Sequence, residues 1–342
     1  MILVTGGTGL VGAHLLLHLC QNEQAIRAIY RNKSHIEKTK SLFKVYAKLD
    51  LFDKIEWLEA DILDIASLEK AFVFVQYVYH CAACISFNPS DENLLRKTNI
   101  EGTANIVNFC IDNKIKKLCH VSSVAAIGDL APHEKFLSET SEWNPEKFHS
   151  DYAISKFGAE MEVWRAHQEG LKIVIVNPGI IFGTGFWNQG SSAFFTSINK
   201  GFPFYSDGIT GYVSATDVVV CMQKLMTSTI DGERFILIAE NRNYKDIIFT
   251  IAEKINAKKP TIKATSWLLN CAWRLDWFLN KVFKSTRKIS KYAAQSLLSK
   301  DKISNAKIKL ALIYSFQSID SCIDEMGDNF IVVRNVAEKN RK

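Results

Sequence analysis

Ile2-Leu-Val-Thr5-Gly6-Gly7-Thr8-Gly9-Leu10-Val11-Gly12, followed by Leu15, Leu16 and Leu19 at helical spacing, decides the reading of this chain. The apolar run Ile2–Val4 reads as a buried strand, and the leucines read as one face of a helix. Between them stands a glycine-rich turn. Glycines let such a turn fold tightly, bring backbone close to a pyrophosphate and pack the helix hard on the strand. The helix N-terminus then offers unpaired N–H groups to phosphates. The context predicts dinucleotide binding.

Outward from that turn, short strand-like runs alternate with helical ones. Ile26–Tyr30, Ile55–Leu58, Tyr77–Cys81, Lys117–Ser122 and Lys172–Val176 are rich in Val, Ile and aromatics. Ile36–Leu49, Leu94–Ile111 and Ile154–His167 carry helical spacing. The alternation predicts an α/β fold, a doubly wound parallel (Rossmann) sheet. After Asn177-Pro178-Gly179 the regularity weakens into a stretch rich in Gly, Ser, Phe and Trp, before a strand (Arg234–Ala239) and a helix (Tyr244–Asn256). We therefore expect a dinucleotide-binding domain over 1–177, with 213–240 returning to it. A smaller, mainly helical substrate lobe follows from 178–212 and 241–330, and 331–342 forms a tail.

At 342 residues and 47% hydrophobic content the chain can fill a sizeable core, and 23% charged residues argue against disorder. A first strand starting beside Met1 leaves no room for a signal or transit segment, and no run of about 18 apolar residues suggests a membrane span. The eight cysteines lie mostly in apolar periodic segments and read as buried thiols, which predicts a cytoplasmic protein. The net charge of +6 is uneven. Residues 254–309 hold fourteen Lys/Arg against Asp276 and Asp301, leaving 28 basic and 34 acidic residues elsewhere. Such a split points to an anionic neighbour or to a lysine-rich solvated surface. No nucleic-acid partner is expected.

Tyr152-Ala-Ile-Ser-Lys156 is the second anchor. On a helix, i and i+4 share a face, so the phenol and ammonium point the same way. A nearby cation favours phenolate and would lower a pKa of roughly 10, making Tyr152 a proton donor or acceptor near neutrality. The pair lies about thirty residues after Ser122-Ser123 and one strand before Asn177-Pro178-Gly179. With Asp61-Ile62, His80-Cys-Ala-Ala83, Asn99-Ile-Glu-Gly-Thr103 and Val121-Ser-Ser-Val-Ala-Ala-Ile-Gly128, these segments make an ordered set over about residues 1–240. The chain resembles an extended short-chain dehydrogenase/reductase, the family often labelled NAD-dependent epimerase/dehydratase. Within it, the chain is most similar to the dihydroflavonol reductase and 3β-hydroxysteroid dehydrogenase branch.

The resemblance implies roles. Gly6, Gly9, Leu10, Val11 and Gly12 would hold the pyrophosphate, and Asp61 and Ile62 would sit at the adenine. Ala82, Ala83, Ser122, Pro178 and Gly179 would also border the cofactor. Ser123, or alternatively Ser122, would hydrogen-bond the substrate oxygen. Tyr152 would move the proton, Lys156 would hold the nicotinamide ribose and tune Tyr152, and Asn99 would support Lys156 through a water.

Cofactor choice is read at the end of the second strand, where a ribose 2′-hydroxyl wants a carboxylate and a 2′-phosphate wants a cation. The sequence there is Tyr30-Arg31-Asn32-Lys33-Ser34-His35, with no carboxylate before Glu37. A guanidinium fork at Arg31 and a point charge at Lys33 favour NADP(H), with NAD(H) as the alternative. Sugar-nucleotide epimerases of the family usually place an arginine just before the aromatic of Thr210-Gly211-Tyr212-Val213. Gly211 stands there, which weakens a nucleotide-sugar reading. Cys84, Phe87, Phe182, Phe186 and Tyr212 are candidates for an apolar pocket suited to a small hydrophobic substrate. Cys81-Ala-Ala-Cys84 lacks a second ligand pair, so no metal is expected.

Trp267–Phe283 is aromatic and basic, with Trp267, Cys271, Leu275, Phe278 and Val282 near one helical face. It reads either as a helix closing the substrate lobe, with Trp273 and Trp277 shielded, or as a peripheral membrane contact of the basic C-terminal part. The lobe-closing reading is preferred. A homodimer is compatible with the sequence. The leading expectation is an NADP(H)-dependent oxidoreductase interconverting a carbonyl and an alcohol on a hydrophobic substrate. The alternatives are a sugar-nucleotide epimerase or dehydratase with tightly bound NAD, and a catalytically inactive cofactor-binding regulatory protein.

Overall fold

Leu3, Val4, Leu15, Leu16 and Leu19 are all fully buried, so the opening strand and helix form one packed unit as the spacing requires. Truncating any one of these leucines to alanine is expected to cost about 2–5 kcal/mol. The computed structural model describes residues 1–22, 25–86, 88–132, 134–283 and 291–339. Its first half alternates as expected: β1 (Ile2–Thr5), α1 (Leu10–Leu19), β2 (Ile26–Tyr30), α2 (Ile36–Val45), β3 (Ile55–Glu59), α3 (Ile65–Ala71) and β4 (Tyr77–His80). Then come α4 (Glu92–Leu95), α5 (Gly102–Asp112), β5 (Lys117–Val121), β6 (Phe136–Leu137), α6 (Asp151–Gln168) and β7 (Ile173–Pro178).

The second half holds β8 (Ile180–Phe182), α7 (Ala193–Asn199), β9 (Phe204–Tyr205), β10 (Ile209–Ser214), α8 (Ala215–Thr227), β11 (Glu233–Leu237) and β12 (Glu240–Asn243). It ends with α9 (Tyr244–Lys254), β13 (Ile262–Lys263), α10 (Ser266–Phe283), α11 (Lys291–Ser296), β14 (Lys302–Ile303), α12 (Ala306–Leu312) and α13 (Ile319–Lys339).

Seven strands make the main sheet in the order β11-β7-β5-β4-β1-β2-β3, every neighbour parallel. Order reverses between β1 and β4, the switch point where open α/β sheets bind ligands beyond the carboxyl ends of their strands. Two buried cores cover the two faces. One gathers α1 leucines with Met222 and Leu225 of α8, and the other gathers Ile106 of α5 with Val163 of α6. Thus α8 and β11 return to the large domain after the chain has visited the smaller lobe. That lobe is built on β12-β10-β8 and a third core of Phe182, Phe195, Tyr212, Ile251, Ile323 and Phe330.

Three expectations change here. The predicted tail from 331 continues α13 to Lys339, because Ile323, Met326 and Phe330 seat that helix on the lobe core. Cys271 is exposed, unlike most of the other thiols. Of the two α10 tryptophans expected to be shielded, Trp273 is half-buried and Trp277 is 47% exposed, and Trp267 is 75% exposed. Leu269 and the half-buried Trp273 face a small cluster with Ala264, Ala294, Leu297 and Leu298, so the apolar stripe points outward.

Candidate active site

The loop between β1 and α1 is a cradle that only glycine fits. Gly6 has φ +69°, and a Cβ there would lie 2.6 Å from Ala82 N; at Gly12 it would lie 2.2 Å from Gly6 O. Gly9 caps α1 from extended backbone with no side-chain hydrogen bond, so the helix N-terminus, with Leu10 and Val11 in its first turn, is left for an anion. Thr5 Oγ1 accepts from Ala82 N at 3.1 Å and hydrogen-bonds His80 Nδ1 at 2.7 Å, and His80 Nε2 reaches Thr103 Oγ1 at 2.9 Å. Burial drives the His80 imidazole down to about 3, so this bridge is neutral and holds the Ala82 wall without charge. Ala83 beside it is exposed.

Asp61 turns the chain after β3, its Oδ1 accepting from Leu63 N at 3.0 Å, while Ile62 is buried. At the end of β2, Arg31 and Lys33 are exposed, and no carboxylate pairs with either among the described residues. Pro178 ends β7 buried, and Gly179 N donates to Leu237 O at 3.1 Å. These cation, glycine and strand-end positions fit a dinucleotide lying across the switch point.

Helix α6 carries the second half of the site. Ser150 caps it, accepting from Ala153 N at 3.1 Å, which starts the helix at Asp151, just before Tyr152, so that Tyr152 and Lys156 share a face. The Ser123 hydroxyl lies close enough to the Tyr152 phenol to act on its proton. Ser122 turns the other way: its Oγ donates to Glu160 Oε2 at 2.7 Å in the fully buried interior. Of the two serines, Ser123 is therefore the one beside the phenol.

Lys156 is 2% exposed and donates to the Val121 carbonyl at 2.9 Å. Burial lowers its ammonium to about 8, partly offset by the Glu160 carboxylate. Tyr152 departs from expectation. Its phenol lies above the ordinary tyrosine value. Burial, with the Cys84 thiol adding to it, outweighs the Ser123 hydroxyl, while Lys156 Nζ is held at the Val121 carbonyl.

Asn99 sits in a π-helical turn (Arg96–Glu101) between α4 and α5. Its Oδ1 accepts from Cys84 N at 2.7 Å, and its Nδ2 donates to Cys84 O at 3.0 Å and Ser155 Oγ at 2.9 Å. Its side chain thus ties the segment after β4 to α6. Cys84 is partly exposed, and burial together with Asp91 raises its thiol.

The expected aromatic pocket does not form from the residues chosen. Phe182 and Tyr212 are fully buried and stacked at 5.5 Å in the lobe core, and Phe186 lies in the core around α1. The period-2 strands β8 and β10 put Phe182 and Tyr212 inward, where burial outweighs lining a cleft. Phe87 lies outside the described residues. A cavity of about 480 Å³ opens instead on another side of α6, lined by Trp143, Phe157, Met161, Trp164 and Arg234, away from Ser123 and Tyr152.

Glu160 is the residue that motif reading missed. It accepts from Ser122, from Asn177 Nδ2 at 2.9 Å, from Arg234 Nη1 at 3.0 Å and from Trp164 Nε1 at 3.4 Å. Its signal was present as a second i+4 step after Lys156. Gly211 also acquires a reason: a Cβ there would lie 2.5 Å from Ile238 Cγ2, and a Cβ on Gly179 would lie 2.3 Å from the Gly211 carbonyl. Ile238, just after β11, fills the space that a side chain at Gly211 would need.

The model of the NAD-dependent epimerase/dehydratase family matches residues 2–237. The chain belongs to that family. A Synechocystis protein named "Putative dihydroflavonol 4-reductase" is 29% identical over 279 residues, 79% of this chain and 77% of that protein. Tetraketide alpha-pyrone reductase 2 of Arabidopsis thaliana is 27% identical over 266 residues, 74% of this chain and 82% of that one. The fold is shared with UDP-glucose 4-epimerase of Thermus thermophilus in complex with NAD, at TM-score 0.73, 19% identity, and coverage of 96% of this chain and 98% of that one. The protein is an NAD(P)-dependent oxidoreductase-type enzyme of the family. Among the described residues, no helix is long and apolar enough to cross a membrane.

Proposed function

We propose that this protein is an NADP(H)-dependent reductase that interconverts a carbonyl and an alcohol on a hydrophobic substrate. The observation that carries the reading is the Ser123–Tyr152 hydroxyl pair, with Lys156 one helical turn on. The dinucleotide would rest on Gly6, Gly9 and Gly12 with its adenosine end toward Asp61 and Ile62, and would supply the hydride. Ser123 holds the substrate oxygen in line with the phenol. Tyr152, kept neutral by its surroundings, gives its proton as negative charge develops on that oxygen. A phenol raised above its ordinary value stays protonated until charge develops on the substrate oxygen. Lys156 carries a positive charge below about pH 8, set to grip a ribose and to favour the phenolate left after transfer.

Two features support the finer assignment. Arg31 and Lys33 offer exposed cations where a 2′-phosphate would lie, with no competing carboxylate partner among the described residues. Gly211 stands where nucleotide-sugar enzymes of the family usually place an arginine, and Ile238 occupies the space that its side chain would need. Relatives named as reductases support the same reading. Binding of NADPH and NADH to wild type and to Arg31→Asp tests the cofactor. NADPH affinity should fall far more than NADH affinity, because a charge-assisted fork becomes a repulsion. Equal losses would refute the preference.

A further inference from the structure

We propose that the outward face of α10 docks the protein on an anionic lipid bilayer. The helix uses Leu269 and Trp273 to pack on Ala264 and the residues of and after α11. Trp267, Leu275, Phe278 and Leu279 are 75%, 59%, 52% and 38% exposed. They stand at i, i+8, i+11 and i+12, which an α-helix gathers into one stripe. Trp277, 47% exposed, flanks it. Solvent-exposed aromatics and leucines in such a row are costly in water and favourable at the headgroup boundary.

The polar residues of α10 do not suit a spanning helix. Asn270, Arg274, Asp276 and Asn280 interrupt it, and its 18 residues reach only about 27 Å. It suits a helix lying in the plane of the surface. Arg274, at i+7 from Trp267, lies on the same outward face, its guanidinium 4.8 Å from the Trp273 ring centroid and donating to the Asn270 carbonyl.

Charge selects the occupant. The segment 254–309 that contains α10 holds fourteen Lys/Arg against two Asp. Some of this charge is spent within the protein: Lys254 pairs with Asp328, Lys263 with Asp207 and Lys307 with Glu233. Lys258, Lys302 and Lys309 are exposed and have no carboxylate partner among the described residues. A second copy would carry the same net-basic segment. An anionic membrane suits an apolar stripe that carries Arg274 and belongs to that segment.

The test is flotation of the purified full chain with phosphatidylcholine vesicles, alone or mixed with phosphatidylserine, at low and high salt. The protein should float with the mixed vesicles at low salt, bind neutral vesicles much less, and be released as salt rises. The double variant Leu275→Glu/Phe278→Glu, altered only at exposed side chains, should lose at least about tenfold in vesicle affinity while keeping its melting temperature. No flotation at low salt, equal binding to neutral vesicles, or flotation that survives the double variant would overturn the proposal. So would a dimer in solution that the double variant dissociates, since a second copy would then cover the stripe.

Discussion

Glu160→Ala tests whether the interior behind Ser123 is organised by one carboxylate. The wild-type side chain is fully buried and receives hydrogen bonds from Ser122, Asn177, Trp164 and Arg234. Removing one partner of a buried ion pair costs about 3–5 kcal/mol, because the other charge stays buried and unmatched. Arg234 is 17% exposed and still donates to the Glu139 carbonyl at 2.7 and 3.0 Å, so the lower end, about 3 kcal/mol, is expected. Urea unfolding read by tryptophan fluorescence measures it. Glu169→Ala breaks an ion pair with Arg165 that is exposed on both sides and serves as the control, with an expected loss under about 1 kcal/mol. The milder Glu160→Gln keeps an acceptor oxygen but removes the charge that raises Lys156. Its alkaline limb in kcat/KM should therefore move to lower pH, with substrate KM changed less than kcat. A Glu160→Ala protein within about 1 kcal/mol of wild type would refute the reasoning, as would a Glu160→Gln limb that does not move.

Tyr152→Phe keeps the ring and removes the proton, so turnover should fall by about 10²–10⁴-fold while dinucleotide affinity, measured by fluorescence titration, changes little. Lys156 titrates near 8 in the fold against an ordinary 10.5, so between those values the unfolded chain binds more protons and this residue's contribution to stability rises with pH. The stability of wild type relative to Lys156→Met, from urea unfolding of the cofactor-free proteins, should accordingly increase from pH 8 toward 10.5; a flat difference would contradict the depressed ammonium. Gly12→Ala places a Cβ against Gly6 O and should lower dinucleotide affinity at least about tenfold, read by the same titration.

Much of the fold was legible because its signals are local. The Gly6–Gly12 turn, the Val- and Ile-rich runs and Tyr152 with Lys156 each depend on neighbours within a strand or a helical turn. What was not legible depends on partners far along the chain. Glu160 and Arg234 are 74 residues apart and meet only when β11 joins β7. The choice between Ser122 and Ser123 follows from that buried carboxylate, which claims Ser122 and leaves Ser123 to the phenol. Phe182 and Tyr212 looked like pocket residues because apolar rings serve cores and clefts equally well; pairing of β8 with β10 sends them inward. The direction of the α10 stripe could not be read either. Periodicity shows that a helix has two faces but not which one finds a neighbour.

Net hydride transfer tests the central claim most directly. Wild type and Tyr152→Phe are mixed with NADPH deuterated at nicotinamide C4 and with a panel of hydrophobic aldehydes and ketones, and the products are read by mass spectrometry. The account predicts that wild type turns over at least one of them, forming one NADP⁺ for each alcohol, with deuterium on the carbinol carbon, and that Tyr152→Phe barely does so. Exchangeable NADPH would be the cofactor recovered from the protein. A protein that holds NAD through purification, consumes no NADPH with any member of the panel and instead inverts or dehydrates a nucleotide sugar without net oxidation would contradict it.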